Sequence, residues 1–249
     1  MGTTAGLGLL VALLAAALAA LTVATARRPD GPVPDRSGYF DRWSALHGGY
    51  DPRGSVWARG WLGLVHRAAV PLARRGVAPD VLTLWGVVVA LGVVALAEPG
   101  ARWPLLAVLV LVASGLLDSL DGGVAVLTGR ATPFGAVADS LVDRVSDGLY
   151  LVALWRLGAP GPLVVAGGAL MVLQEYARAR ATAGGMDDVG VVTVWERPTR
   201  VVVTALALAS AGLLPGLATP VAAVGAAAWV GLGTVGLTQL LVVVRRRLR

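Results

Sequence analysis

An all-α integral membrane protein is the fold class this sequence predicts, and three observations predict it. Of its 249 residues, 56% are hydrophobic and only 14% charged, against about 45–50% and about 25% in soluble domains. Mean hydropathy is +0.74, so too few charges remain to clothe a water-facing surface. The apolar runs are long and unalternating, which excludes a barrel and leaves helices to satisfy the backbone in hydrocarbon at roughly 20 residues per crossing.

The absence of cysteine removes disulfides and thiolate metal sites, and with only His47 and His66 a His-based metal site has little to build on. Net charge is +6, carried by 21 basic residues that are all Arg. On so apolar a chain this excess fits anionic lipid headgroups rather than nucleic acid. Arg without Lys, beside abundant Ala, Val and Gly, suggests the coding bias of a GC-rich bacterial genome, and a bacterial plasma membrane is the expected location.

The first run, Leu7 to Ala26, has no charged side chain before it and Arg27-Arg28 after it. That order predicts an uncleaved helix with its N-terminus outside; the alternative is a cleaved signal segment. Residues 29–54 are rich in Pro, Gly, Asp and Arg and predict an irregular loop. From Ser55 to Arg75, Trp57, Trp61, Leu64, Val65, Ala68 and Leu72 recur at helical spacing with Arg between them, as in a helix lying in the membrane interface.

Six apolar segments follow, at 80–98, 104–128, 133–155, 161–183, 197–215 and 219–244. Eighteen of the 21 Arg fall in stretches that an inside start would place in the cytoplasm, with only Arg102 and Arg156 opposite and Arg144 inside a helix. Seven crossings with the C-terminus inside are expected. The implied divisions are an extra N-terminal transmembrane helix (1–28), a loop with an interfacial helix (29–78) and a six-helix transmembrane domain (79–249).

Most of these segments carry no charge, so the exceptions are informative. Asp118 and Asp121 are three residues apart, Asp139 and Asp143 four apart, so each pair shares one face of its helix. A short turn near 129–133 makes the two helices antiparallel, and all four carboxylates are then expected to converge near the cytoplasmic side. A carboxylate at membrane depth costs several kcal/mol unless paired, hydrated or bound to a cation. Oxygen-only ligands favour Mg²⁺, Mn²⁺ or Ca²⁺. The bland alternative is a set of Asp–Arg structural pairs, for which Arg144 alone is at hand in these helices.

Asp118-Ser-Leu-Asp121-Gly122-Gly-Val-Ala125, followed by Gly135-Ala-Val-Ala-Asp139-Ser-Leu-Val-Asp143, resembles the signature D-x2-D-G-x2-A-R-x8-G-x3-D-x3-D of the CDP-alcohol phosphotransferase family. The resemblance implies the family's six-helix transmembrane bundle, here preceded by the extra helix. It also implies two divalent ions, Mg²⁺ or Mn²⁺, held by Asp118, Asp121, Asp139 and Asp143, with Asp143 as the base for the acceptor hydroxyl. The donor would be CDP-diacylglycerol, with CMP released in phospholipid biosynthesis. Pro79-Asp80-Val-Leu-Thr83 looks like the family's Pro-Asn/Asp-x-x-Thr, beside the cytidine site. Asp80, Thr83, Gly122 and Ala125 are thereby implied in CDP binding. Gly135 permits close helix approach and serves packing equally well.

The family Arg after the Ala is Val126 here, and Arg130, one turn on, is the candidate to reach back to the phosphates in its place. Downstream, Tyr176-Ala-Arg178-Ala-Arg180-Ala-Thr182 and Glu196-Arg197-Pro198-Thr-Arg200 resemble the phosphatidylinositol phosphate synthase branch, whose Lys and Glu are Arg178 and Thr182 here. Arg178, Arg180, Arg197 and Arg200 suit a phosphorylated acceptor such as inositol 1-phosphate; positive-inside anchoring explains the same residues. Glycerol 3-phosphate would use the same cluster. The remaining alternatives are a non-catalytic relative that binds a lipid nucleotide, which Val126 motivates, and a cation transporter, which leaves the Gly and Ala spacing unexplained. The resemblance implies homodimers too, although no dimer face is legible in the sequence.

Overall fold

The computed structural model describes residues 2–29, 31–98, 101–186 and 192–248, omitting the side chains of residues 2–4; Arg249 lies outside it. The described residues form nine α-helices and two short 3-10 turns. They are α1 (Gly2–Thr25), α2 (Arg36–Leu46), α3 (Val56–Arg75), α4 (Pro79–Leu96), α5 (Trp103–Thr128), α6 (Pro133–Arg156), α7 (Gly161–Ala183), α8 (Arg197–Leu213) and α9 (Ala218–Arg247). All the apolar segments read from the sequence are helical close to their expected bounds. By length and composition four spans are long and apolar enough to cross a membrane: Ala5–Thr25, α4, α5 and the stretch Pro215–Arg247. The other three expected crossings, α6, α7 and α8, are helical too, but α6 and α7 carry charged residues and α8 has 17 residues.

The chain divides into two compact units whose boundaries run through α4, α5 and α6. The first unit comprises residues 1–89 and 113–143. Its core joins Tyr39 and Phe40 of α2, Leu62, Val65, Ala69 and Ala73 of α3, and Leu120, Val124, Val126 and Leu127 of α5. Two expectations change here. The stretch 29–54 contains a helix: Asp35 caps α2 by accepting from the Gly38 N–H at 2.9 Å, and its aromatic residues pack on α3. The face of α3 also divides. Leu62 and Val65 are buried on the unit's core while Trp57, Trp61 and Leu64 point outward, because burial by protein takes the stripe one position away from the aromatic one.

Gly123 lets α3 approach α5; a Cβ there would sit 2.8 Å from Val65 Cγ1 and 3.6 Å from the Tyr39 hydroxyl. α5 ends at Gly129, whose φ of 67° is left-handed, with the Arg130 N–H closing back onto the Ala125 carbonyl at 2.9 Å. Thr132 then caps α6 through its hydroxyl, which accepts from the Gly135 N–H at 2.9 Å. This turn sets the register of the two aspartate-bearing helices. α1 rests on α4 through Leu18, Val81 and Val88, and Trp85 donates to the Thr22 hydroxyl at 3.2 Å.

The second unit comprises residues 90–112 and 144–249. Trp195 and Trp229 meet edge to face, 5.1 Å between centroids. Gly233 and Gly236 of α9 give Trp195 its space. Gln174 of α7 donates to the Thr193 hydroxyl at 3.0 Å and to the Trp195 carbonyl at 3.1 Å, fastening the segment before α8.

Candidate active site

Within the first unit, carboxylate oxygens of Asp118, Asp139 and Asp143 all lie within 4.8 Å of one another, each residue half-buried. Helical spacing explains the grouping. Asp139 and Asp143 are one turn apart on α6 and face the same side as Asp118 on α5. Oxygens bound to one Mg²⁺ or Mn²⁺ at about 2.1 Å span at most about 4.2 Å. Three hard oxygen donors at this separation therefore fit a divalent cation after a small inward shift.

Asp121, expected to join them, belongs to a different arrangement. It is 5% exposed; its Oδ2 accepts from the Thr83 hydroxyl at 2.6 Å and its Oδ1 from the Gly122 N–H at 2.6 Å. The three-residue step from Asp118 rotates Asp121 toward α4, where Thr83 waits. Thr83 itself is 7% exposed and shares its hydroxyl with the Pro79 carbonyl at 3.3 Å. Its observed contact orients a carboxylate, a role that sequence reading did not assign to it.

Asp118, Asp121 and Asp139 line a cavity of about 670 Å³, together with Asp80, Thr83, Gly122, Ala125 and Arg130. Asp80, Thr83, Gly122 and Ala125, and Arg130 as the candidate substitute for the motif Arg, thus border one space. Asp80 is exposed, its Oδ1 3.6 Å from where a Gly135 Cβ would lie. Gly122 has nothing within 4 Å of an added Cβ, so it faces open space and leaves the α5 backbone accessible. Val126 contributes to the α5 core and also borders the cavity. Arg130 Nη2 donates to the Arg27 carbonyl at 2.8 Å, which ties it to the end of α1 while the residue borders the cavity. Opposite in chemistry are Tyr39 and Trp43 of α2 and His47 at its C-cap, which line the same space and which sequence reading placed in an irregular loop. Their spacing of four residues on one helix face was the available signal.

The Arg cluster lies in the second unit. Arg200 is fully buried, with Nη1 on Asp147 Oδ2 at 2.5 Å and Nη2 on Glu175 Oε1 at 2.9 Å and the Trp195 carbonyl at 3.2 Å. Arg144 reaches Glu175 at 2.7 Å, and Arg197 Nε lies 4.0 Å from Asp147 Oδ1. Arg178 meets Glu196 at 2.7 Å. Arg180 is exposed. One carboxylate of the helices, Asp147, thus follows the structural-pair reading, with a partner from α8 that local spacing could not reveal. Burial by itself would raise the Glu196 carboxyl, but the Thr193 N–H and hydroxyl and the Arg178 charge hold it below its ordinary value of 4.5.

The CDP-alcohol phosphatidyltransferase family model matches residues 76–240. The archaetidylinositol phosphate synthase of Aeropyrum pernix is 40% identical over 86 residues, 34% of this chain and 43% of that protein. The phosphatidylinositol phosphate synthase of Mycolicibacterium smegmatis is 38% identical over 56% of this chain and 64% of its own length. The chain therefore spans less than two thirds of these two relatives. Crystal structures of the Mycobacterium tuberculosis phosphatidylinositol phosphate synthase are similar in fold. One with CDP-DAG bound gives a TM-score of 0.57 at 28% identity, covering 71% of this chain and 92% of that one. One in complex with manganese and citrate gives 0.59 at 29%, covering 73% and 88%.

Proposed function

We propose that this chain, which belongs to the CDP-alcohol phosphatidyltransferase family, transfers a phosphatidyl group from CDP-diacylglycerol to a phosphorylated alcohol and releases CMP. The observation that carries the reading is the cluster of Asp118, Asp139 and Asp143 within 4.8 Å, placed by the family's own spacing. Those carboxylates, with Asp121 held by Thr83, would hold divalent ions, Mg²⁺ or Mn²⁺ and two by analogy with the motif. When bound, such ions neutralise diphosphate charge and stabilise the departing CMP.

The chain's own residues supply the rest. The open backbone at Gly122 and the small side chain of Ala125 accept the nucleotide at close range, with Asp80 and Thr83 beside it. Asp143 takes the acceptor's hydroxyl proton onto a carboxylate oxygen as the new phosphoester bond forms. Inositol 1-phosphate is the proposed acceptor, supported by the names of the relatives and by the downstream Arg motif. Arg178, Arg180 and Arg197 are its proposed phosphate ligands. Arg200, committed to Asp147 and Glu175, would act by holding those carboxylates in place. Arg placement supports an active site facing the cytoplasm with the C-terminus inside, and family resemblance supports a homodimer.

Purified chain in lipid nanodiscs, given CDP-diacylglycerol, Mg²⁺ or Mn²⁺ and a panel of alcohols, should release CMP with inositol 1-phosphate. No CMP with any acceptor would sink the reading. Val126 at the motif Arg position favours a second reading, a nucleotide-lipid binder without turnover. Nucleotide binding without CMP release is its signature.

A further inference from the structure

The cavity wall formed by α2 lies outside the residues that the family model matches, which begin at 76. Tyr39 is 1% exposed, yet its residue borders the cavity and its hydroxyl sits 3.6 Å from the Cβ position of Gly123. That hydroxyl is not among the buried polar atoms left without a partner, and its residue lines the cavity. A phenol O–H at a cavity wall can donate to an acceptor that enters. Burial pushes the phenol up to about 12, so it stays protonated and able to donate.

One turn on, Trp43 stacks on His47 with centroids 3.8 Å apart and planes 11° from parallel, and both residues border the cavity. The His47 Nδ1 lies 2.8 Å from the Trp43 carbonyl, a contact in which Nδ1 is the donor, since a carbonyl oxygen only accepts. An aromatic step beside an O–H donor matches a flat heterocycle bearing carbonyl or hydroxyl acceptors. Carboxylates at another part of the same cavity match that ligand's metal-bound phosphates.

We infer that α2 builds the nucleoside-facing wall of the donor site, with the Tyr39 hydroxyl donating to a base or ribose oxygen and the Trp43–His47 pair giving a stacking surface. This deepens the proposed function and rests on it. It assigns nucleotide recognition to a segment that precedes the matched core.

The test measures binding of CMP, of CDP-diacylglycerol and of inorganic pyrophosphate to the full chain with Mn²⁺, comparing the unsubstituted protein with Tyr39→Phe and Trp43→Leu. Tyr39→Phe should weaken CMP binding about 3- to 10-fold, and Trp43→Leu about 5-fold or more, with pyrophosphate binding unchanged in both. Unaltered CMP binding in Tyr39→Phe, a variant that removes one oxygen and keeps the packing, overturns the inference. So does equal weakening for pyrophosphate, which would place the effect at the metal. A loss seen with CDP-diacylglycerol but not with CMP assigns the wall to the lipid and also overturns it. Should the unsubstituted chain fail to bind CMP, the proposed function falls with it; binding that persists in both variants sinks this inference alone.

Discussion

Two groups of charged side chains are embedded in these apolar helices, and they solve the same problem in opposite ways. In the first unit Asp118, Asp139 and Asp143 crowd one another within 4.8 Å beside a cavity. In the second, Asp147 and Glu175 are met by Arg200, Arg144 and Arg197 at distances from 2.5 to 4.0 Å. Like charges held together in low dielectric repel unless a cation joins them. Opposite charges held together neutralise each other and tolerate burial. The first arrangement gathers like charges where a cation fits, and the second sets opposite charges against each other. Carboxylates in membrane helices therefore divide by their neighbours rather than by their depth.

The largest effect that separates the two is expected from Asp143→Asn. CMP release should fall about 10²- to 10⁴-fold while thermal stability holds, since the substitution relieves repulsion. A comparable drop in melting temperature would make this cluster structural like the other. The reverse is expected of Arg200→Met, which leaves Asp147 buried with its closest partner gone; unfolding measured in detergent should show a loss of about 3–5 kcal/mol. Stability equal to the unsubstituted chain would show that the second network is not structural.

Smaller effects sharpen the boundary. Thr83→Val removes the 2.6 Å bond to Asp121 and should lower Mn²⁺ affinity about 10- to 100-fold, as loss of a ligand-orienting partner does; an unchanged metal titration would remove Asp121 from the site. Arg130→Ala should weaken CDP-diacylglycerol binding a few-fold if Arg130 stands in for the motif Arg, and unchanged binding would exclude it. The smallest effect concerns Glu196. Its folded-state value lies below 4.5, so its stabilisation is present above pH 4.5 and is lost as pH falls through the folded value. Acid melts below pH 4.5 should therefore narrow the gap between the unsubstituted chain and Glu196→Gln; a constant gap would show that the group does not report on folding.

Much of this was legible in the residues. Long apolar runs ended by Gly, Pro or Arg returned as helices, because in hydrocarbon a helix satisfies its own backbone. Asp118, Asp139 and Asp143 came together because three- and four-residue spacing fixes a helix face. For Asp121 the same spacing left the direction of the carboxylate open. Spacing gives a face to within a turn, whereas the Thr83 hydroxyl on a separate helix decides which way the carboxylate turns. α2 was hidden by Pro- and Gly-rich composition, although Tyr39, Trp43 and His47 lie at four-residue steps.

Periodicity, charge placement and motif spacing are local properties, and by themselves they determined the membrane class, the helices and the carboxylate face. Which partner each charge finds is a long-range property. Asp147 waits 53 residues for Arg200, and the wall built by Tyr39 reaches Gly123 only through the packing of α2 and α3 on α5. Those choices belonged to tertiary structure, because burial raises the cost of an unmet polar group until a partner distant in sequence, or a ligand, must meet it.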